Sequence, residues 1–243
     1  MSRSIKDSEQ TKKKILMAAI NEFAEKGFNG ARMSSIAAKA GVNQALLHYH
    51  FESKENLYHH IFQVAMGDGL DLLTVKIRKE IESWNAPPEI GLAAILYIMV
   101  CTNIETNNND LNRIYAREIA DGQGFIHDFA RKYMFPRIML FENFIKKGIK
   151  LGCFEISNPL MFSISIISFI SDYIHGEDFI KDTKWHKELY KDRKKTLYNY
   201  LIEAAIKTLT PAGKTITPPV LSKDETAKLD FLINEIAELY QLK

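Results

Sequence analysis

Residues 11–57 read TKKKILMAAINEFAEKGFNGARMSSIAAKAGVNQALLHYHFESKENL, and this stretch decides the fold of the N-terminal part of the chain. It contains two short helical patterns, at about 33–40 and 44–50, which a glycine-containing turn at 40–43 joins. A helix that ends at a glycine, followed by a capped helix packed across it, is the layout of a helix-turn-helix. Such a motif sets its second helix into the major groove of DNA. The stretch therefore predicts a DNA-binding head.

The segment before this motif predicts a third helix. Its N-cap is predicted at Asp7 or Ser8, and its end at Gly27. Four apolar residues recur at helical spacing along it and predict a buried stripe: Leu16, Ala19, Ile20 and Phe23.

The rest of the chain also has helical periodicity. Pro136 either kinks the helix that contains it or opens a new one. No segment alternates with period two, so we predict an all-α fold, with an N-terminal three-helix helix-turn-helix domain, a larger helical ligand-binding and dimerisation domain and an extra C-terminal helix. The helices predicted after the head are 54–83, 90–104, 111–120, 125–150, 159–173, 185–209 and 222–242.

Composition is ordinary for a globular protein. The chain has 243 residues, of which 46% are hydrophobic and 26% charged, with a net charge of +2. The charge is uneven, because residues 1–60 hold nine Lys or Arg against six Asp or Glu, while the rest holds 23 against 24. A basic head on a neutral body suits local contact with phosphates.

The chain shows no targeting or membrane signal. Residues 1–14 lack the apolar centre of a signal peptide. The most apolar run, 160–174, contains four serines and an aspartate and is shorter than the roughly 20 residues of a spanning helix. Cys101 and Cys153 are far apart and fit buried free thiols in a reducing compartment. We expect a cytoplasmic protein with no membrane partner.

Side chains on the second helix of the motif suit DNA. Gln44 can make two hydrogen bonds to adenine, and Ala45 can meet a thymine methyl group. His48 and Tyr49 can reach phosphates or base edges. Lys54, at the start of the next helix, adds positive charge to amides that already attract phosphate.

Residues 11–58, a fifth of the chain, closely resemble the DNA-binding domain of the tetracycline-repressor (TetR) family. The spacing of many residues carries the resemblance: Ile15, Leu16, Ala18, Ala19, Phe23, Gly27, Phe28, Ile36, Ala37, Ala40, Gly41, Val42, Leu47, Tyr49, Phe51, Ser53, Lys54, Glu55 and Leu57.

The sequence departs from the family pattern at two positions. Arg32 stands where the family usually has Ser or Thr before its second helix, so Asn29 or Ser34 becomes the candidate N-cap, and Arg32 a candidate phosphate contact. His48 replaces a frequent tyrosine.

The resemblance implies a homodimeric regulator, a repressor that a small molecule releases from a near-palindromic operator. It implies three domains: 1–54 for DNA binding, 55–210 for ligand binding and dimerisation, and 211–243 as a linker with an additional helix. The dimer would form through helices at about 159–174 and 185–209. The DNA-binding residues would be Arg32, Ser34, Asn43, Gln44, Ala45, His48, Tyr49 and Lys54.

The family resemblance also implies a cavity within about 88–175. The aromatic and methionine content of this region indicates an apolar or aromatic effector, while Glu118 and His127 would allow a polar or cationic group on it. No cofactor and no metal are predicted. For each candidate, packing in the core is the alternative to ligand contact. The candidates are Tyr97, Cys101, Tyr115, Glu118, Phe125, His127, Tyr133, Phe162, Phe169 and Tyr173.

Two other classes of protein compete with a regulator. A helical enzyme could use Glu118, His127 and Asp128 for acid–base chemistry, but the sequence has no nucleophile arrangement or phosphate loop beside them. A helical scaffold would require a head that ignores DNA. The last predicted helix, 222–242, either covers its own body or embraces a partner subunit.

Overall fold

The computed structural model describes residues 2–66, 68–121, 127–128 and 130–239. Over these residues it is all-α, with no strand, as the sequence predicts. A π-helical turn, Ala130–Met134, precedes α8. The helices are α1 Ser2–Gly30, α2 Met33–Ala40, α3 Gln44–Phe51, α4 Lys54–Met66, α5 Asp68–Ser83, α6 Pro88–Glu105, α7 Asn109–Asp121, α8 Phe135–Lys150, α9 Pro159–His175, α10 Glu177–Ile180, α11 Lys184–Tyr190, α12 Arg193–Leu209 and α13 Lys223–Leu239.

The chain forms two compact units, here called the head and the body. The head contains α1–α4 and α7, and the body contains α6, α8–α13 and most of α5. Both α4 and α7 pack on α1. The head therefore extends beyond residue 54, where the sequence predicts the DNA-binding domain to end, while the functional boundaries at 54 and 210 stay predictions.

The head is built around α1. Its predicted stripe is buried, and the Phe23 ring lies against the rings of Phe28 and Tyr58, with centroid distances of 6.1 and 4.8 Å. Gly27 has a φ of 69°, which breaks the helix geometry where the sequence predicts its end, although helical structure continues to Gly30. The predicted N-cap is wrong, because α1 begins at Ser2 rather than after Asp7 or Ser8.

The body is built around α6. Eight of its 18 residues are buried, and it packs on α9, α12 and α13. By length and composition alone α6 could cross a membrane. Its burial on several sides is the pattern of a central core helix.

Helix breaks are where the sequence-based boundaries fail. The predicted helix 54–83 is described as α4 and α5, on either side of residue 67, which lies outside the described residues. The predicted helix 185–209 is two helices, α11 and α12, and the buried Tyr190 that ends α11 donates a hydrogen bond from its hydroxyl to the Tyr173 carbonyl. That tertiary contact has no signature in the local periodicity. Pro136 lies in the first turn of α8 and opens this helix.

The C-terminal helix α13 packs on its own body. Leu229 and Ile233 are buried against Ala94, Ile98 and Cys101 of α6. The Tyr97 hydroxyl donates to Asp230 Oδ1 at 2.7 Å, and Lys76 Nζ lies 2.8 Å from Glu235 Oε1. The sequence left open whether this helix covers its own body or embraces a partner subunit, and in the structure it covers its own body. Residues 240–242 of the predicted helix lie outside the described residues.

Candidate nucleic-acid interface

The turn between α2 and α3 has the geometry that the sequence predicts. Gly41 ends α2 with a φ of 68°, and its N–H bonds back to carbonyls of the last turn. A left-handed residue at this position favours glycine. Asn43 is the N-cap of α3, and its Oδ1 accepts a hydrogen bond of 2.7 Å from the Leu46 N–H. Asn43, a predicted DNA contact, thus has a defined structural role with an exposed side chain.

One face of α3 anchors the helix and the other is open. Leu47 and Phe51 are buried. Tyr49 is 80% exposed. An aromatic side chain this exposed, on a helix held firmly from behind, is available to a partner. The exposed predicted DNA contacts of α3 are Gln44, Ala45, His48 and Tyr49.

His48 links two parts of α3. Its Nδ1 lies 2.9 Å from the Glu52 carbonyl, which is only an acceptor, so Nδ1 carries the proton. In the tautomer with its proton on Nδ1, the ring has its lone pair on Nε2, which lies 3.4 Å from Gln44 Nε2. This arrangement turns the Gln44 amino group towards His48. The His48 ring therefore orients the amide that is predicted to read a base.

The N-cap of α2 is not the residue that the sequence predicts. Arg32 is the N-cap residue of α2, and its side chain makes no capping hydrogen bond. Asn29 lies within α1 and Ser34 within α2, so the prediction that one of them is the N-cap is wrong. Arg32 and Ser34 are both exposed, which leaves them free for the predicted DNA contact.

Lys54 is directed into the head. Its Nζ donates to the Phe28 carbonyl at 2.9 Å and to the Ala31 carbonyl at 3.3 Å, and it lies 4.6 Å from the centroid of the Phe28 ring. The sequence predicts a phosphate contact instead. Because the ammonium group binds the carbonyls at the junction between α1 and α2, we assign it first to the positioning of these helices.

The sequence did not single out a buried carboxylate between α1 and α2. Glu22 is fully buried, with Lys26 Nζ 2.6 Å from one oxygen and Lys39 Nζ 3.0 Å from the other. Burial raises the pKa of Glu22, but hydrogen bonds from Lys26, Lys39 and Ser35 outweigh it and lower the pKa from 4.5 to about 2. The spacing of four residues between Glu22 and Lys26 was the one sequence signal for this group of ion pairs.

Glu118, a predicted pocket residue, lies in the head. It is 4% exposed, and its Oε1 accepts a hydrogen bond of 2.6 Å from the Tyr58 hydroxyl. The neighbouring Arg117 donates to the Glu25 carbonyl at 3.3 Å. Burial and the bond to Glu118 raise the pKa of Tyr58, so its hydroxyl stays a donor. These contacts join α7 to α4 and α1, and this role differs from the predicted contact with a ligand.

The other predicted pocket residues divide between the two units. In the head, Tyr115 is half-buried and His127 is exposed, while nothing is described of the Tyr133 side chain. Phe125 lies outside the described residues. The other five are in the body: Tyr97, Cys101, Phe162, Phe169 and Tyr173.

Three of these five have defined packing roles. Cys101 and Phe162 are buried in the core, at 1% and 7% exposure. The Tyr173 ring stacks on Tyr190 with centroids 4.6 Å apart, and its hydroxyl donates to the Leu189 carbonyl. Phe169 is exposed and stacks on Tyr200. Packing within the protein, which the sequence analysis gave as the alternative to ligand contact, therefore describes most of the five predicted pocket residues in the body.

The described residues contain no group of three or more His, Cys, Asp or Glu side chains that could hold a metal ion.

The head matches a known family profile. Residues 15–61 match the family described as bacterial regulatory proteins, tetR family. Among curated proteins, the chain is 33% identical over 124 residues to the HTH-type transcriptional regulator RutR of Escherichia coli K12, covering 48% of this chain and 51% of RutR. The chain thus spans about half the length of this relative.

Two further similarities extend the comparison. Over 47 residues, 19% of this chain and 25% of the relative, it is 43% identical to IcaR of Staphylococcus aureus strain Newman, a negative transcriptional regulator of the biofilm operon icaADBC. The crystal structure of HlyIIR, a hemolysin II transcriptional regulator, aligns with a TM-score of 0.53 at 24% identity, over 84% of this chain and 99% of that one. This alignment shows a shared fold.

Proposed function

We propose that the chain is a member of the TetR family of bacterial transcriptional regulators, and that it is a homodimeric, ligand-responsive repressor that binds a near-palindromic DNA operator. The matched relatives are regulators rather than enzymes. The proposal places the protein in the bacterial cytoplasm, where such regulators meet their operators.

The open face of α3 carries this proposal. It combines an oriented amide at Gln44, a small apolar side chain at Ala45 and an exposed ring at Tyr49 on a helix anchored by Leu47 and Phe51. Amide and methyl groups can read bases in the major groove, and a tyrosine hydroxyl can bind phosphate.

Dimerisation is proposed through α9 and α12. Several large apolar side chains of these helices are exposed in the single chain, among them Met161 at 60% and Tyr200 at 56%. Phe169 stacks on Tyr200 at 5.2 Å and continues the same apolar surface. A two-fold dimer presents two recognition helices, so the operator should contain two inverted half-sites.

Repression and release by an effector are the finer parts of the proposal. The role of IcaR as a negative transcriptional regulator supports repression. An effector acts by binding one of two conformations more tightly, and a switch from 99:1 to 1:99 requires about 5.5 kcal/mol of differential affinity.

The test is a fluorescence anisotropy titration of the full chain on DNA from upstream of its own gene and on scrambled DNA, at two salt concentrations. We expect preferential binding to the first DNA, which weakens as salt rises because phosphate contacts release counterions. Tyr49→Ala should weaken binding to both DNAs.

Phe179→Ala is the matched control, since Phe179 is an 87% exposed aromatic residue of the body. Equal binding of wild type and Tyr49→Ala to every DNA would refute the assignment of α3. Equal, feeble binding to both DNAs would favour a scaffold. Analytical ultracentrifugation tests the dimer, and a monomer at micromolar concentration would contradict it.

A further inference from the structure

Most cations of the helix-turn-helix are occupied inside the head. Residues 22–54 contain four Lys or Arg side chains. Lys26 and Lys39 form ion pairs with glutamates of α1, and Lys54 donates to backbone carbonyls. The fourth is Arg32, which is exposed. Because the neutralisation of phosphates supplies a large share of the affinity for DNA, this balance points to cations outside the stretch.

Helix α2 runs back along α1. It starts two residues after the end of α1, and Lys39 in its last turn donates to Asn21 Oδ1 at 2.7 Å and to Glu25 Oε2 at 2.8 Å. These two partners lie in the second half of α1, upstream of its end. The turn and α3 follow directly, so Gln44 and the rest of the first turn of α3 begin beside α1 at this level. The N-terminal half of α1 therefore extends past the start of α3.

This extension presents an exposed face on the side of α2. Gln10, Lys14 and Met17 recur at helical spacing with Asn21, and all three are exposed, Met17 by 39%. The buried Ile15 anchors the same turn on the other side of the helix. Since an α-helix rises about 1.5 Å per residue, the backbone of Lys14 lies about 10 Å beyond that of Asn21.

The ammonium group of Lys14 is available to a partner. The neighbouring Lys12 lies 3.5 Å from Glu9. Lys14, in contrast, makes no ion pair with the side chains that the structure describes. It also precedes residue 15, at which the match to the family profile begins. Lys14 is thus an exposed cation beside the start of α3, in a part of α1 that the profile does not cover.

From these observations we infer that Lys14 binds a phosphate of the DNA backbone at the edge of the groove that α3 enters. The major groove of B-DNA is about 12 Å wide, so a cation about 10 Å beyond the level of Asn21 suits the strand that borders the groove. A lysine bound to phosphate positions the protein without reading the sequence. The inference rests on the proposed function and adds a contact from α1 to those predicted for α2, α3 and α4.

The test is a salt series of fluorescence anisotropy titrations on DNA from upstream of the protein's own gene and on scrambled DNA. Lys14→Gln should lower the slope of log affinity against log salt by about one unit for each head that binds. It should weaken binding to both DNAs by the same factor, because a phosphate contact does not read bases. Lys14→Arg keeps the charge and should keep the slope. Lys147→Gln is the matched control, since Lys147 is an exposed lysine of the body.

Ethylation interference locates the contact on the DNA. Ethylation removes the charge of single phosphates, so at the phosphate that Lys14 binds it should weaken binding of the wild type but not of Lys14→Gln. That phosphate should lie beside the base pair at which Gln44→Ala alters discrimination. If the same phosphates interfere in both proteins, Lys14 contacts none of them and the inference is wrong.

The results separate this inference from the proposed function. A wild type that binds its upstream DNA preferentially, together with an unchanged slope in Lys14→Gln, would overturn the inference alone. An equal fall of the slope in Lys147→Gln would also overturn it, because net charge would then explain the effect. Thermal unfolding should give the wild-type melting temperature for Lys14→Gln, and a clear loss of stability would show that Lys14 serves the fold. A wild type that binds neither DNA would overturn both proposals.

Discussion

At the scale of single residues, His48 changes its role most between the sequence and the structure. In the sequence it is one more candidate contact at a position where the family often has tyrosine. In the structure its ring lies between the Glu52 carbonyl and the Gln44 amide. A residue that orients a base-contacting side chain should affect recognition of the same base pair as that side chain.

The first prediction concerns Gln44 and His48. Gln44→Ala should lower discrimination at one operator base pair by about 1–3 kcal/mol, the usual contribution of a bidentate contact. His48→Ala should cause a smaller loss at the same base pair, and the double variant should lose no more than Gln44→Ala. Competition binding against single-base operator variants measures this. Effects at different base pairs, or additive losses, would show that His48 does not position Gln44.

The second prediction concerns Glu22. Its folded pKa of about 2 is below the ordinary 4.5, so its ionised form stabilises the fold above about pH 4.5 and loses this effect as the pH falls towards 2. Glu22→Gln should lower the free energy of unfolding at pH 7 by about 1–3 kcal/mol, as for hydrogen bonds to a charged group. Urea unfolding between pH 7 and 2.5 should show the two proteins converging at low pH. A constant difference would contradict the pKa shift.

At the scale of elements, the junctions of α1 depend on polar contacts as well as on apolar packing. Lys54 joins the start of α4 to the end of α1, and Lys39 joins the end of α2 to the middle of α1. Tyr58 and Glu118 join α4 to α7. These contacts explain why α7 forms part of the head, although it follows α6 of the body in the chain.

The third prediction separates two roles of Lys54. A phosphate contact would change the salt dependence of DNA binding by about one unit of slope when it is removed. Lys54→Met instead should lower the stability of the protein by about 1–2 kcal/mol, from the loss of hydrogen bonds to two carbonyls, and leave the slope unchanged. Chemical unfolding and a salt titration on one operator measure both quantities. A lower slope at wild-type stability would restore the phosphate contact that the sequence predicts.

The fourth prediction tests the joint between α4 and α7. Tyr58→Phe leaves the buried carboxyl group of Glu118 without its donor and should lower the free energy of unfolding by about 1–3 kcal/mol. Tyr58→Phe with Glu118→Leu replaces both partners by apolar groups and should recover much of this loss. Urea unfolding compares the three proteins. If the double variant is the least stable, the pair is not a simple hydrogen-bonded joint.

At the scale of the whole molecule, the C-terminal segment completes the body. Helix α13 buries a face of α6 that would otherwise expose Ala94, Ile98 and Cys101. The segment between α12 and α13 also lines a surface groove together with residues of α12 and Tyr97 of α6. Residues 211–239 thus belong to the structure of the body rather than to a separate appendage.

The fifth prediction uses the two cysteines as reporters of this packing. Cys101 is 1% exposed, and burial raises its pKa to about 11, whereas Cys153 is only partly buried. A thiol reagent should therefore modify Cys153 first. Deletion of residues 222–243 should make Cys101 react at a rate close to that of Cys153, with Cys153→Ser as the background for measuring it alone. Unchanged protection of Cys101 would show that α13 is not its cover.

By itself, the sequence determined the all-α class, the helix-turn-helix and the faces of its helices. Local chemistry specifies these features: a glycine with positive φ at Gly41, a capping amide at Asn43 and apolar residues at helical spacing in α1. Each depends on residues a few positions apart, so a linear pattern is sufficient to reveal it.

Only the tertiary structure decided where long-range partners lie. Glu118 and Tyr58 are 60 residues apart, and Lys54 and Phe28 are 26 residues apart, so no local pattern predicts their contacts. Likewise, the predicted pocket residues that the structure describes divide between head and body. Side-chain type shows what a residue can bind, but chain topology decides which groups come within hydrogen-bonding distance, because only the packed helices bring distant positions together.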